Sequence, residues 1–127
     1  MCRKKILIID DEEDLCKVTK LNLEFVGDFE VNIATSGRKG VKLAKKIRPD
    51  LIILDLIMPG MDGFEVLKRL KKDKDTMEIP VVMLSARKDD IYKSKAFELY
   101  DEFYLEKPIG HLQLKTKIEE VLGRKSI

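Results

Sequence analysis

The sequence predicts an α/β domain: a doubly wound parallel sheet of five strands in the order 2-1-3-4-5, accompanied by five helices. Three observations carry that expectation. Short aliphatic runs alternate with helix-length amphipathic stretches five times over, and strand–helix alternation builds parallel sheets through right-handed crossovers. Runs such as Ile6-Leu7-Ile8-Ile9 and Leu51-Ile52-Ile53-Leu54 are apolar without alternation, as strands buried on both faces must be. Residues 29–34 do alternate, with Phe29, Val31 and Ile33 on one side, which marks that strand as the sheet edge.

The bulk properties agree with one ordinary domain over 1–127, its core at about 5–122. Lys and Arg number 25 against 23 Asp and Glu, so nothing in the net charge of +2 demands nucleic acid or a membrane surface as partner. No apolar run is long enough to span a membrane, and Met1-Cys2-Arg3-Lys4-Lys5 leads straight into a strand, with no signal peptide. Cys2 and Cys16 have neither metal-ligand spacing nor the look of a disulfide framework. They are expected to be reduced thiols in a cytoplasmic protein.

In chain order, residues 5–9 form the first strand and run into Asp10-Asp11-Glu12-Glu13-Asp14. Helical periodicity covers 13–26, with Leu15, Val18, Thr19, Leu23 and Val26 on one stripe and Gly27 closing it. Leu21 and Phe25 fall off that stripe. The favoured expectation is that they widen the buried face, and the alternative is an exposed patch for a partner. After the edge strand, Ser36 is a good N-cap for a helix to about Ile47, and Gly40 within it points to close packing rather than a break.

The central stretch is Leu51-Ile52-Ile53-Leu54-Asp55, a buried strand stopping at a carboxylate, followed by a Pro59, Gly60 and Gly63 turn. Residues 63–73 give an amphipathic helix, 79–84 a fourth strand ending in Ser85-Ala86, and 89–99 another helix. The fifth strand spans 102–106 and ends at Lys107-Pro108, and a last helix covers about 110–123.

The strand ends carry chemistry together. Asp10-Asp11, Asp55, Ser85 and Lys107 follow strands 1, 3, 4 and 5, which places them on one edge of a parallel sheet. With this strand order a crevice opens beside Asp55, where the winding reverses between strands 1 and 3. Three converging carboxylates repel one another unless a cation joins them, and a hard cation with oxygen ligands, Mg²⁺ above all, is the expected answer. A carboxylate nucleophile, a metal, a hydroxyl and a lysine make a site for phosphoryl transfer onto Asp55.

The motifs Ile9-Asp10-Asp11-Glu12, Asp55-Leu56-Ile57-Met58-Pro59-Gly60-Met61-Asp62-Gly63, Leu84-Ser85-Ala86 and Tyr104-Leu105-Glu106-Lys107-Pro108 resemble the receiver domain of two-component response regulators, the chemotaxis-regulator type included. The similarity runs from about Lys5 to Leu122. It implies a flavodoxin-like sheet and a phosphoryl group accepted on Asp55 from a sensor histidine kinase or a histidine phosphotransfer protein. It also implies Mg²⁺, with Mn²⁺ as a substitute, bound by Asp11, Asp55 and the Ile57 carbonyl, with Asp10 assisting. Lys107 would pair with Asp55 and then with the phosphoryl oxygens, through a cis bond to Pro108. Ser85 would swing toward the phosphoryl group and Tyr104 move inward, switching an output surface. Catalysis would be confined to the domain's own phosphorylation and dephosphorylation.

The chain departs from the family pattern where Tyr100-Asp101-Glu102-Phe103 replaces smaller residues. Phe103 is expected either to build an apolar docking patch or to pack under the preceding helix. Arg87 and Ile57 occupy positions that in this family influence how water reaches the phosphoryl group, and the bulky Ile57 predicts a long-lived phosphoaspartate. In this family the first helix commonly contacts the phosphodonor, a role that an exposed Leu21 and Phe25 would suit.

Other classes fare less well. A haloacid-dehalogenase-type phosphatase needs a second Asp where Ile57 stands. A flavodoxin-type electron carrier needs a phosphate cradle where the acidic run would repel one. A pseudo-receiver that acts without phosphorylation, as a protein-interaction module, is the runner-up. No DNA-binding motif or enzymatic effector follows within the 127 residues, so the chain is expected to be either a stand-alone regulator that docks to an unidentified target or the receiver piece of a longer protein with an effector domain. A phosphorylation-dependent dimer stays open.

Overall fold

A computed structural model describes residues 3–56, 58, 60, 63–85, 103–107 and 109–125, with the side chains of residues 85, 103, 104, 106, 124 and 125 left aside. Five strands, β1 (Lys4–Ile9), β2 (Phe29–Ala34), β3 (Leu51–Asp55), β4 (Val81–Ser85) and β5 (Phe103–Glu106), form one sheet in the order β2-β1-β3-β4-β5. Every neighbouring pair is parallel. Four described helices complete the fold: α1 (Glu13–Val26), α2 (Gly37–Ile47), α3 (Gly63–Lys72) and α4 (His111–Lys125). The helix expected over 89–99 lies outside the described residues.

The sheet divides two apolar layers. Leu7, Ile9, Ile52, Leu54 and Met83 face α2 and α3, where Ala44, Phe64, Leu67 and Leu70 pack on them. Ile6, Ile8, Ile53, Val82 and Leu84 face α1 and α4, meeting Cys16, Leu23, Leu114 and Ile118. Alternate residues of one strand thus serve opposite layers, so β1 and β3 can be apolar at every position. Asp50 sets their register. Its carboxylate accepts from the Lys5 N–H at 2.7 Å and its own N–H donates to the Lys5 carbonyl at 2.8 Å, aligning Ile6 with Leu51.

The edge position of β2 follows from its alternation, and α1 covers part of that edge. The Lys20 ammonium donates to the Val31 carbonyl at 2.6 Å, and the Glu24 carboxylate accepts from the Val31 N–H at 3.0 Å. A strand edge leaves such groups without a ladder partner, and here two side chains one helical turn apart supply it. The Val31 N–H, with the Lys20 ammonium, holds the Glu24 carboxyl below its usual range.

Two glycines are required by space. Ser36 caps α2 by accepting from the Lys39 N–H at 3.3 Å, and one turn on a Cβ at Gly40 would lie 2.6 Å from the Ile9 side chain. The close packing expected there is present. Gly27 ends α1 in an extended conformation at φ −144°, not in the left-handed one the C-cap signal implies. Glycine is needed because a Cβ would collide with the Phe29 ring.

The predicted stripe of α1 needs correction. Its buried residues are Cys16 and Leu23, whereas Leu15 and Val18 are exposed, as are Leu21 at 67% and Phe25 at 90%. The helix is rotated from the face that apolar count alone selects, because Lys20 and Glu24 must reach Val31 on the sheet edge. Leu21 and Phe25 therefore do not widen the buried face.

Candidate functional site

Parallel pairing brings the carboxyl ends of β1, β3, β4 and β5 to one edge. Ile9 aligns with Leu54, Asp55 with Leu84, and Leu84 with Leu105, so Asp10 follows β1 at the level of Asp55 and Lys107 follows β5 two residues beyond that level. Asp10 and Asp55 are buried, each about 5% exposed, and Asp11 is exposed beside them. One carboxylate oxygen from each of the three lies within 4.8 Å of the others.

Lys107 is the cation among them. Its ammonium lies 2.8 Å from Asp10 Oδ2, 3.4 Å from Glu12 Oε1 and 3.6 Å from Asp55 Oδ2. Burial works to lower the affinity of this lysine for its proton, but the hydrogen bond to Asp10 and the charges of Asp10, Asp55 and Glu12 outweigh it, so its pKa is raised. Asp10 is further fixed by accepting the Glu12 N–H at 3.0 Å through its other oxygen. Among the described residues, four carboxylates gather about one ammonium here, which suits the pocket to a further cation.

The backbone around Asp55 is tightly constrained. The Leu56 N–H continues the sheet by donating to the Leu84 carbonyl at 3.0 Å, and the Gly63 N–H donates back to the Leu56 carbonyl at 2.9 Å. A Cβ at Gly63 would lie 2.7 Å from the Asp55 carbonyl oxygen, so the start of α3 can approach β3 only as glycine.

The donor set fits a small hard cation. One carboxylate oxygen from each of Asp10, Asp11 and Asp55 lies within 4.8 Å of the others, so side-chain adjustment would let all three reach one small ion. All ligands are oxygen and none is sulfur or imidazole, which favours Mg²⁺-like over softer ions.

Asp10, Asp11, Asp55 and Lys107 are thus brought together as their strand ends imply. Ser85 closes β4 and Tyr104 lies within β5, but their side chains are outside what is described. Ile57, Pro59, Arg87, Tyr100 and Pro108 are outside the described residues, and so is the Phe103 side chain. Two participants had no assigned role in the sequence. Glu12 reaches Lys107, and the Cys16 thiol donates to the Asp10 carbonyl at 3.5 Å. The unbroken acidic run signalled Glu12. Cys16 had no signal beyond sitting six residues after Asp10.

A parallel sheet with an acidic cluster and a lysine at its carboxyl edge is the arrangement that the receiver-domain resemblance implies, and the family comparison agrees. Residues 6–119 match the model of the response regulator receiver domain, and the chain belongs to that family. Among curated relatives, it is 36% identical to the alkaline phosphatase synthesis transcriptional regulatory protein PhoP of Bacillus subtilis, over 98% of this chain and 50% of that protein. It is 39% identical to the DNA-binding dual master transcriptional regulator RpaA of Synechocystis, over 94% of this chain and 49% of that protein. The chain spans about half the length of these relatives. Among solved structures, chemotaxis protein CheY4 of Vibrio cholerae superposes with a TM-score of 0.87 at 28% identity, covering 94% of this chain and 99% of that one. A CheY-like receiver domain protein from Methanospirillum hungatei gives 0.89 at 27% identity, covering 98% of each. Family membership places the chain among the receiver domains of response regulators. Among the described residues, no helix is long and apolar enough to cross a membrane.

Proposed function

We propose that the whole chain is one receiver domain whose Asp55 accepts a phosphoryl group from a phosphohistidine. An Asp55 carboxylate oxygen attacks phosphorus, the P–N bond breaks, and the imidazole leaves with the electron pair and takes up a proton. The observation that carries this is the Lys107 ammonium, which lies between the buried carboxylates of Asp10 and Asp55 with Asp11 beside them.

Each residue has a distinct task. Asp55 is the nucleophile, at the end of a buried strand that holds it still. Lys107 exchanges part of its bonding with Asp10 for the incoming phosphoryl oxygens. Asp10, Asp11 and Asp55, with the Ile57 carbonyl, would hold Mg²⁺, which supplies charge neutralisation at the transferring group. Ser85 and Tyr104 would carry the change onward. The bulk of Ile57 would slow hydrolysis.

Intact mass after incubation with acetyl phosphate and Mg²⁺, beside an Asp55→Asn control, tests this. One phosphoryl group on the wild type and none on the control is the expected result, with a decay slower than seconds. Failure to label with acetyl phosphate and also with a phosphorylated histidine kinase would leave the interaction-only module in its place.

A further inference from the structure

The second helix carries charge that neither the fold nor the phosphoacceptor site uses. It has five basic residues, Arg38, Lys39, Lys42, Lys45 and Lys46, and no acidic one, so the rest of this nearly balanced chain is net negative. Two basic groups of this region are already neutralised on the side toward α3. Lys45 pairs with Asp73 at 2.9 Å, and Arg48, just past the helix, with Asp75 at 3.2 Å. On the other side, Lys39, Lys42 and Lys46 have no ion-pair partner among the described residues.

Those three lysines recur at helical spacing on one face, over about 10 Å of axis. They border a groove of about 390 Å³ between α2 and the edge strand, whose remaining walls are Ile33, Ala34, Thr35 and Leu43. Among the described residues, no acidic side chain lines it. The groove also follows the part of the β2 edge that α1 leaves bare. The Lys20 and Glu24 bonds end at Val31, two residues before Ile33.

We infer that this groove between α2 and β2 docks an acidic protein segment that carries apolar anchors. The charge complementarity is one-sided: three unpaired ammonium groups and no carboxylate. The apolar lining decides the class of partner. A phosphate backbone would satisfy the lysines but make no use of the apolar walls at Ala34 and Leu43, whereas an amphipathic acidic segment places carboxylates on the lysines and aliphatic side chains between them. The surface is separate from the carboxyl edge that holds Asp55, and the inference does not depend on phosphorylation.

The test uses the full chain and a fluorescein-labelled amphipathic peptide of glutamate and leucine, followed by anisotropy. An all-glutamate peptide of equal length and a DNA duplex of equal charge serve as competitors. The glutamate–leucine peptide is expected to bind at least about tenfold tighter than either, and to lose at least about tenfold in the K39E/K42E/K46E variant. Methyl NMR shifts on binding are expected at Ala34 and Leu43. Four outcomes overturn the proposal: no binding of the peptide at millimolar concentration, equal binding of the all-glutamate peptide or DNA, unchanged affinity in the triple variant, or shifts confined to other methyls. Concentration-dependent self-association abolished by the same variant would likewise overturn it, by giving the face to a second copy of the chain.

Discussion

At the residue scale, Lys107 holds together carboxylates that would otherwise repel one another. It is only about 15% exposed, so its pairing with Asp10 and Asp55 is poorly screened. In Lys107→Ala, two buried carboxylates lose their cation, and urea denaturation in EDTA should show a loss of about 3 kcal/mol. Mg²⁺ should recover most of it, because the ion brings positive charge back to the same oxygens. Cys16 gives a second test. Burial first, and the Asp10 charge next, push its thiol up to about 12 from 9.0. The unfolded chain therefore loses this proton first, so the contribution of Cys16 to stability is complete below pH 9 and declines as pH rises toward 12. Wild-type stability measured in urea should fall more steeply across that window than that of Cys16→Ala.

At the element scale, α1 and α2 show opposite uses of packing. In Gly40→Ala, better helix propensity should be outweighed by the collision with the buried Ile9 side chain, a net loss of about 1–3 kcal/mol in chemical denaturation. On α1, the apolar side chains Leu21 and Phe25 contribute little to the core because they are exposed. Leu21→Ala/Phe25→Ala should change stability by no more than about 0.5 kcal/mol. The same pair of substitutions should slow phosphotransfer from the cognate kinase while leaving acetyl phosphate labelling intact. Unimpaired transfer from the kinase would remove α1 from the docking surface.

At the scale of the whole molecule, the site is assembled from strand ends far apart in sequence, so ligand binding there is linked to global folding. Asp10 and Lys107 are 97 residues apart in the chain and bonded only when the sheet is complete. Mg²⁺ at a hundredfold excess over its dissociation constant should stabilise the wild type by about 2.7 kcal/mol. Thermal unfolding with and without EDTA measures this, and Asp55→Asn should shrink the difference. The fold and the acidic site were both legible at this scale, because continuous aliphatic runs specify buried parallel strands and their ends specify one edge.

The sequence by itself determined the strand–helix alternation, the β2 edge and the grouping of Asp10, Asp11, Asp55 and Lys107, since each follows from local periodicity and a short motif. Tertiary structure decided what periodicity leaves degenerate. The rotation of α1 was settled by Lys20 and Glu24 reaching across to Val31, a contact between side chains and a strand edge that the apolar pattern does not encode. The reason for Gly27 was settled by the Phe29 ring rather than by backbone handedness. The pairing of Lys45 and the grouping of Lys39, Lys42 and Lys46 beside a groove are likewise set by tertiary structure. Burial and pairing depend on which surfaces meet, and that is set only once the helices are laid on the sheet.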